Sequence, residues 1–142
     1  MKTIEHFVEG KKYSGNSKRT SFIYNPATGE TTAKVKLGST EDLNKAVEVA
    51  QQAFLDWSNT PPLQRARVLF KYKALIEKNE DELIKIIVSE HGKVYEDARG
   101  SLTRGLEIVE YACGIPQMLK GEFTENVGKN VDSWSLRHPL GV

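Results

Sequence analysis

Three kinds of side chain in this sequence could carry chemistry: a lone cysteine, Cys113; three histidines, His6, His91 and His138; and an arginine set in a helical repeat, Arg104. Cys113 falls on the apolar edge of a predicted helix with Ala98, Leu102, Leu106 and Val109. A thiol in that setting packs as a small hydrophobic residue and stays inert, so a structural role is expected for it. The histidines have no metal-ligand spacing, and neither CxxC nor HExxH occurs, so no metal site is expected. GxGxxG and GxxxxGK[ST] are also missing, and with them any phosphate cradle of those types.

At 3.6 residues per turn, Glu96, Gly100, Thr103, Arg104, Glu107 and Tyr111 share a face opposite the Leu102/Leu106 stripe. A guanidinium there can grip a planar carboxylate through two parallel hydrogen bonds. It can equally pair with Glu107, three residues on, in a solvated contact worth about 0.2–0.5 kcal/mol. Gly100 and Gly105 point toward the first reading. Each costs about 1 kcal/mol inside a helix, and close approach of a ligand or backbone is the usual reason to keep one. Arg65, Arg67, Lys71 and Lys73 read as a solvated helix face, balanced by Glu77 and Glu80.

These groups need elements to position them. His6-Phe7-Val8 and Lys12-Tyr13 flank Glu9-Gly10, a weak hairpin signal without the Asn or Asp a type I′ turn prefers. Ser21 to Tyr24 and Thr31 to Leu37 form a second pair around Asn25-Pro26-Ala27-Thr28-Gly29-Glu30. From Ser39 the apolar period becomes helical, with Asp42 three residues on as a capping box and Leu43, Ala46, Val47, Ala50, Ala53, Phe54 and Trp57 as the stripe. Pro61-Pro62 starts the next helix, and Leu63 to His91 is one bent helix or two, with Asn79 as a cap and Gly92 as the stop. The last helix is expected from Val94 to Leu119, and Val131 to Arg137 alternates as a strand with one face buried.

With 142 residues the chain is about one domain, able by size to bury roughly two thirds of its unfolded surface around one core. Its 20 basic and 19 acidic residues lack the basic excess that nucleic acid or an anionic membrane requires, so neither is expected as a partner. No apolar run could span a bilayer, MKTIEHFVEGKK is no signal peptide, and the single cysteine suits a reducing compartment; a cytoplasmic location is expected.

Five stretches match one family together: YNPATGE at 24–30, WSNTPPLQRARVLFKY at 57–72, SEHGKVYEDARG at 89–100, RGLEIVEYACGIPQMLKGE at 104–122 and VDSWSLRHPLGV at 131–142. The chain resembles the N-terminal portion of the aldehyde dehydrogenase superfamily, and within it the CoA-acylating branch that acts on malonate and methylmalonate semialdehyde. The likeness runs from Phe7 to Val142. It implies an α/β parent fold of which this is a mostly helical segment: β-ribbons over 1–38, helices over 39–120, and over 121–142 an extended strand leading to a Rossmann-like core. The closing RHPLGV would stand at the entry to that core, so the chain is expected to be a piece with no activity alone.

The family's cysteine nucleophile, glutamate base and oxyanion-holding asparagine have no matching position here. No catalytic residue and no cofactor-binding residue is therefore expected in this chain, and no cofactor for the piece by itself. For the complete enzyme the resemblance implies NAD and coenzyme A: a cysteine thiolate adds to the aldehyde, hydride passes to NAD, the thioacyl enzyme loses carbon dioxide, and the acyl group leaves on coenzyme A. Arg104, in TRGLE, matches an arginine associated in this branch with the carboxylate of the semialdehyde substrate. The terminal strand lies in an extension that pairs between subunits, which implies a homo-oligomer. Two alternatives remain: an aldehyde dehydrogenase without CoA dependence, and a stand-alone interaction module.

Overall fold

The computed structural model describes all 142 residues, Met1–Val142. β2 (His6–Val8) and β3 (Lys11–Tyr13) form the expected antiparallel hairpin. Glu9 and Gly10 both take positive φ, +56° and +72°, so the turn has I′ character even with Glu in its first position. β4 (Thr20–Tyr24) and β5 (Thr31–Lys36) pair antiparallel, their turn closed by the Asn25 N–H donating to the Glu30 carbonyl at 2.8 Å. One strand is additional. β1 (Lys2–Ile4) lies parallel along the free edge of β5, giving the order β1-β5-β4 and enclosing the side chain of Ala33.

The chain then turns into α1 (Thr40–Asn59) through the expected capping box, Ser39 Oγ accepting from the Asp42 N–H and the Asp42 carboxylate accepting from the Ser39 N–H at 2.8 Å. Asp42 does more than cap. Its second oxygen accepts from the Tyr13 hydroxyl at 2.8 Å and the Asn16 N–H at 2.7 Å, so one buried carboxylate ties β3, the following loop and the start of α1 together. The backbone N–H groups of Ser39 and Asn16 hold its pKa far below the usual carboxylate range. Gly15 makes room for this: a Cβ there would lie 3.1 Å from Asp42 Oδ2, and its φ of +71° suits no other residue as well.

The stretch after Pro61 is two helices, α2 (Pro62–Lys78) and α3 (Glu80–His91). Asn79 parts them, but not as the expected cap: its side chain bonds back to the Leu75 carbonyl at 2.7 Å and makes no cap bond to α3. Gly92 ends α3 in the left-handed conformation, as expected. The final helix is interrupted. α4 (Tyr95–Cys113) stops at Gly114, and a single turn, α5 (Ile115–Met118), follows, because Pro116 has no N–H to offer the Ala112 carbonyl. Ala98 and Ile84, both fully buried, let α4 sit close on α3, and Tyr95 OH donates to Asp81 at 2.9 Å across the same pair. Lys73 of α2 reaches Glu110 of α4 at 3.3 Å.

The expected lone terminal strand is a hairpin, β6 (Phe123–Gly128) with β7 (Val131–Trp134), turning at Lys129-Asn130 with Asn130 at φ +60°. Strand character ends at Trp134, short of Arg137. Every residue of the hairpin is exposed, so it has no buried face. Gly121 stands at its base, where a Cβ would fall 1.8 Å from the Ser135 carbonyl oxygen.

The expectation of one sizeable core is not met. Only seven residues are buried, and the surface is 11240 Å², half as much again as the about 7,400 Å² typical of a folded monomer of this mass. Leu43 and Trp57, on the stripe that should face a core along α1, are 63% and 47% exposed. The elements are well formed but several of their apolar faces lie open.

Because the Asp42 carboxyl titrates lower in the fold than in the unfolded chain, its contribution is present above about pH 4 and is lost as pH falls toward its folded value. Urea midpoints followed by circular dichroism should therefore drop through that acid range. Asp42→Asn should start lower at pH 7 and drop less; a variant that parallels the native chain throughout would show that the carboxylate charge does not hold the fold.

Candidate functional site

α4 presents the face that spacing assigned to Arg104. The residue is exposed, it makes no ion pair, and its guanidinium folds back over the helix so that Nη1 lies 3.8 Å from where a Cβ on Gly100 would be. The solvated pair with Glu107 does not form. Glu96, on the same face, is held by Arg99, whose Nε donates to its carboxylate at 3.0 Å, and Thr103 bonds back to the Arg99 carbonyl. Arg104 is thus an unpaired cation on a helix, folded over a glycine floor, with Glu107 exposed and unbonded on the same face. The glycines are not filled by anything within the chain: Gly105 has nothing within 4 Å of its would-be Cβ, and only Arg104 itself approaches Gly100. Close approach by another backbone of this chain does not explain them.

Cys113 sits at the last position of α4, buried and unpaired, as the packing reading expected. No group of three or more His, Cys, Asp or Glu side chains is placed to hold a metal ion. No helix is long and apolar enough to cross a membrane. His6, His91 and His138 lie on β2, at the end of α3 and in the segment after β7, far apart in the element order.

Two residues gain roles that spacing did not reveal. Spacing marks Asp42 as a cap alone; its bonds to Tyr13 and Asn16 join residues 29 and 26 positions away, and nothing local encodes them. The charge pattern places Arg65 on a solvated face, yet its Nε is buried with no hydrogen-bond partner. Its place in the first turn of α2, next to the buried Ala66, was the available signal. Arg67 and Lys71 are exposed as a solvated face requires, whereas Lys73 is partly buried and ties α2 to α4 through Glu110 while pairing with Glu77.

Comparison with known proteins sets this geometry in a family. The aldehyde dehydrogenase family profile matches residues 13–142. Malonate-semialdehyde dehydrogenase of Pseudomonas aeruginosa is 48% identical over 142 residues, which is 100% of this chain and 28% of that protein. Malonate-semialdehyde dehydrogenase 3 of Geobacillus kaustophilus is 43% identical over 141 residues, 99% of this chain and 29% of that one. Among solved structures, methylmalonate-semialdehyde dehydrogenase from Oceanimonas doudoroffii superposes with a TM-score of 0.93 at 48% identity, over 99% of this chain and 28% of its own. A Sinorhizobium meliloti protein, provisionally named a methylmalonate-semialdehyde dehydrogenase and solved with NAD, gives 0.94 at 45% identity, over 99% and 29%. The chain therefore spans less than a third of the length of these relatives. With the family profile matched from residue 13 to residue 142 and the backbone shared with solved members, this chain belongs to the aldehyde dehydrogenase family.

Proposed function

We propose that these residues form the N-terminal part of an NAD-dependent dehydrogenase of a carboxylated semialdehyde, malonate or methylmalonate semialdehyde, whose acyl product is released as a coenzyme A thioester in the cytoplasm. One observation carries the reading: Arg104 forms no ion pair, not even with the exposed Glu107 three residues on, and lies on a helix face that Gly100 and Gly105 leave clear. A substrate carboxylate is the planar partner that a guanidinium holds through two parallel bonds. The names of the relatives from Pseudomonas aeruginosa and Oceanimonas doudoroffii support the same substrate class. An aldehyde dehydrogenase without coenzyme A dependence is the alternative within the enzyme class; it would release the acyl group to water as the free acid, and Arg104 bears on the substrate and not on that choice.

The start of α1 does not fit the pyrophosphate of NAD or of coenzyme A. The one strand-to-helix turn that resembles a nucleotide site, from β5 into α1, already has a carboxylate at its anion position: Asp42 occupies the N-terminus of α1. No step of the cofactor chemistry is therefore assigned to this chain. Its part is to hold the substrate carboxylate through Arg104 and to carry the β6–β7 hairpin. That hairpin, apolar at Phe123, Val127, Val131 and Trp134 and exposed throughout, has free strand edges suited to pairing with the same element of another subunit. The stand-alone interaction module is the second reading, and the same hairpin favours it.

The test is a chimera in which these 142 residues replace the matching 28% of the Pseudomonas aeruginosa relative. Arg104→Ala in it should lower kcat/KM for malonate semialdehyde about 100-fold, the scale of a lost charged, two-point contact, while leaving that for propanal nearly unchanged. Equal kcat/KM before and after the substitution would remove the substrate role. Trp134→Lys should lower the oligomer mass of the chimera by light scattering with its circular dichroism spectrum unchanged; an unaltered mass would detach the hairpin from assembly.

A further inference from the structure

Arg65 is the one guanidinium in this chain with a buried N–H and no acceptor for it: no side chain or carbonyl accepts from Nε, and no ion pair forms. A donor stripped of water and left unpaired carries its whole desolvation cost, so its presence asks what accepts from it. Two clefts meet at this side chain. One is an apolar trough of about 200 Å³ against Trp57, Leu69, Ala112, Ile115 and Leu119. The other, about 390 Å³, sets Arg65 beside Arg137 and His138 with no acidic side chain in its lining. The polar neighbours in it are already engaged, Ser58 and Asn59 with the Leu55 carbonyl and Thr60 with that of Asp56. α2 begins here without a side-chain cap, which adds the positive end of its dipole.

We propose that this double cleft is the seat of a single polypeptide segment bearing a carboxylate next to an apolar side chain, supplied by the part of the dehydrogenase outside these 142 residues, with its carboxylate on Arg65. The proposal rests on the chain being part of a longer dehydrogenase. A small anion would satisfy the guanidinium and leave Trp57 and the trough in water; a segment with both groups satisfies the cation and covers the apolar half together. Relatives in which this region is only 28–29% of the length have the polypeptide to supply it.

The proposal makes the worth of Arg65 depend on context. In the 142-residue chain alone, Arg65→Met removes an unpaired donor, and the melting temperature should stay level or rise. In the chimera with the Pseudomonas aeruginosa relative, the same change strands the incoming carboxylate, and Tm should fall by about 3 °C or more, or the variant should fail to accumulate folded. Equal effects in the two settings would overturn the proposal, as would a chimera indifferent to Arg65 or an unsubstituted chimera that does not fold. If inorganic phosphate or acetate raises the Tm of the isolated chain only when Arg65 is present, the cleft is a small-anion site and the proposal fails. A chimera that shows the Arg65-dependent loss yet does not reduce NAD leaves the docking in place and overturns the proposed activity instead.

Discussion

The carboxylate of Asp42 is the interaction on which the arrangement of this chain depends. Its two oxygens collect the Ser39 N–H and hydroxyl on one side and the Tyr13 hydroxyl and Asn16 N–H on the other. An ionised acceptor bonded to backbone donors makes stronger, shorter hydrogen bonds than a neutral one, and here those bonds join strand, loop and helix at one point. The β part and the helical part otherwise touch lightly, as where Pro26 of the β4–β5 turn meets Gly92 at the end of α3. A helix cap worth little by itself thereby becomes the joint between the β2–β3 ribbon and α1. The anion position at the start of α1 is consumed in the process, which is why this strand-to-helix turn is architecture and not a phosphate site.

Beyond that joint the chain is short of interior. α2, α3 and α4 form a true contact around Ala66, Ile76, Ile84 and Ala98, where small residues on one helix admit large ones on the next. α1 and the β6–β7 hairpin share in no comparable core: Leu43, Val47, Leu55 and Trp57 of α1 and Phe123, Val127, Val131 and Trp134 of the hairpin are exposed. Exposed apolar area on that scale marks surfaces that another body covers. The same logic applies to charge. Arg104 and Arg65 are both cations without acceptors, one open on a helix face and one half sunk between two clefts. Most of the 20 Lys and Arg side chains are unpaired, and only Lys11, Lys73, Lys85 and Arg99 meet a carboxylate, so what sets Arg65 apart is the burial of its unsatisfied Nε and what sets Arg104 apart is the glycine floor beneath it.

The features that a few neighbouring residues encode are legible in the sequence, and those that depend on distant partners are not. The capping box at Ser39, the left-handed stop at Gly92 and both short hairpins follow from the spacing of a few residues, and each is where that spacing puts it. Lys2-Thr3-Ile4 carried no usable period, and β1 exists because β5, some thirty residues on, offers it an edge. Pro116 encodes the break at Gly114 although the apolar period runs on through it, and β6 gives no signal because its exposed residues do not alternate toward any core. Asn79 shows a cap-type residue choosing the other helix. For the site, the helical repeat that singled out Arg104 was enough to find its face, whereas the burial of Arg65 depends on the packing of α5 and the closing segment against α2, which no window of sequence displays.

Amide hydrogen exchange on the 142-residue chain, alone and within the chimera, tests most directly the claim that its open faces are contact faces of a longer enzyme. Alone, amides of α1 and of the β6–β7 hairpin should exchange far faster than those of α3 and α4 around Ile84 and Ala98; within the chimera they should slow to match them. Protection of α1 and the hairpin already complete in the isolated chain, and unchanged in the chimera, would contradict the account.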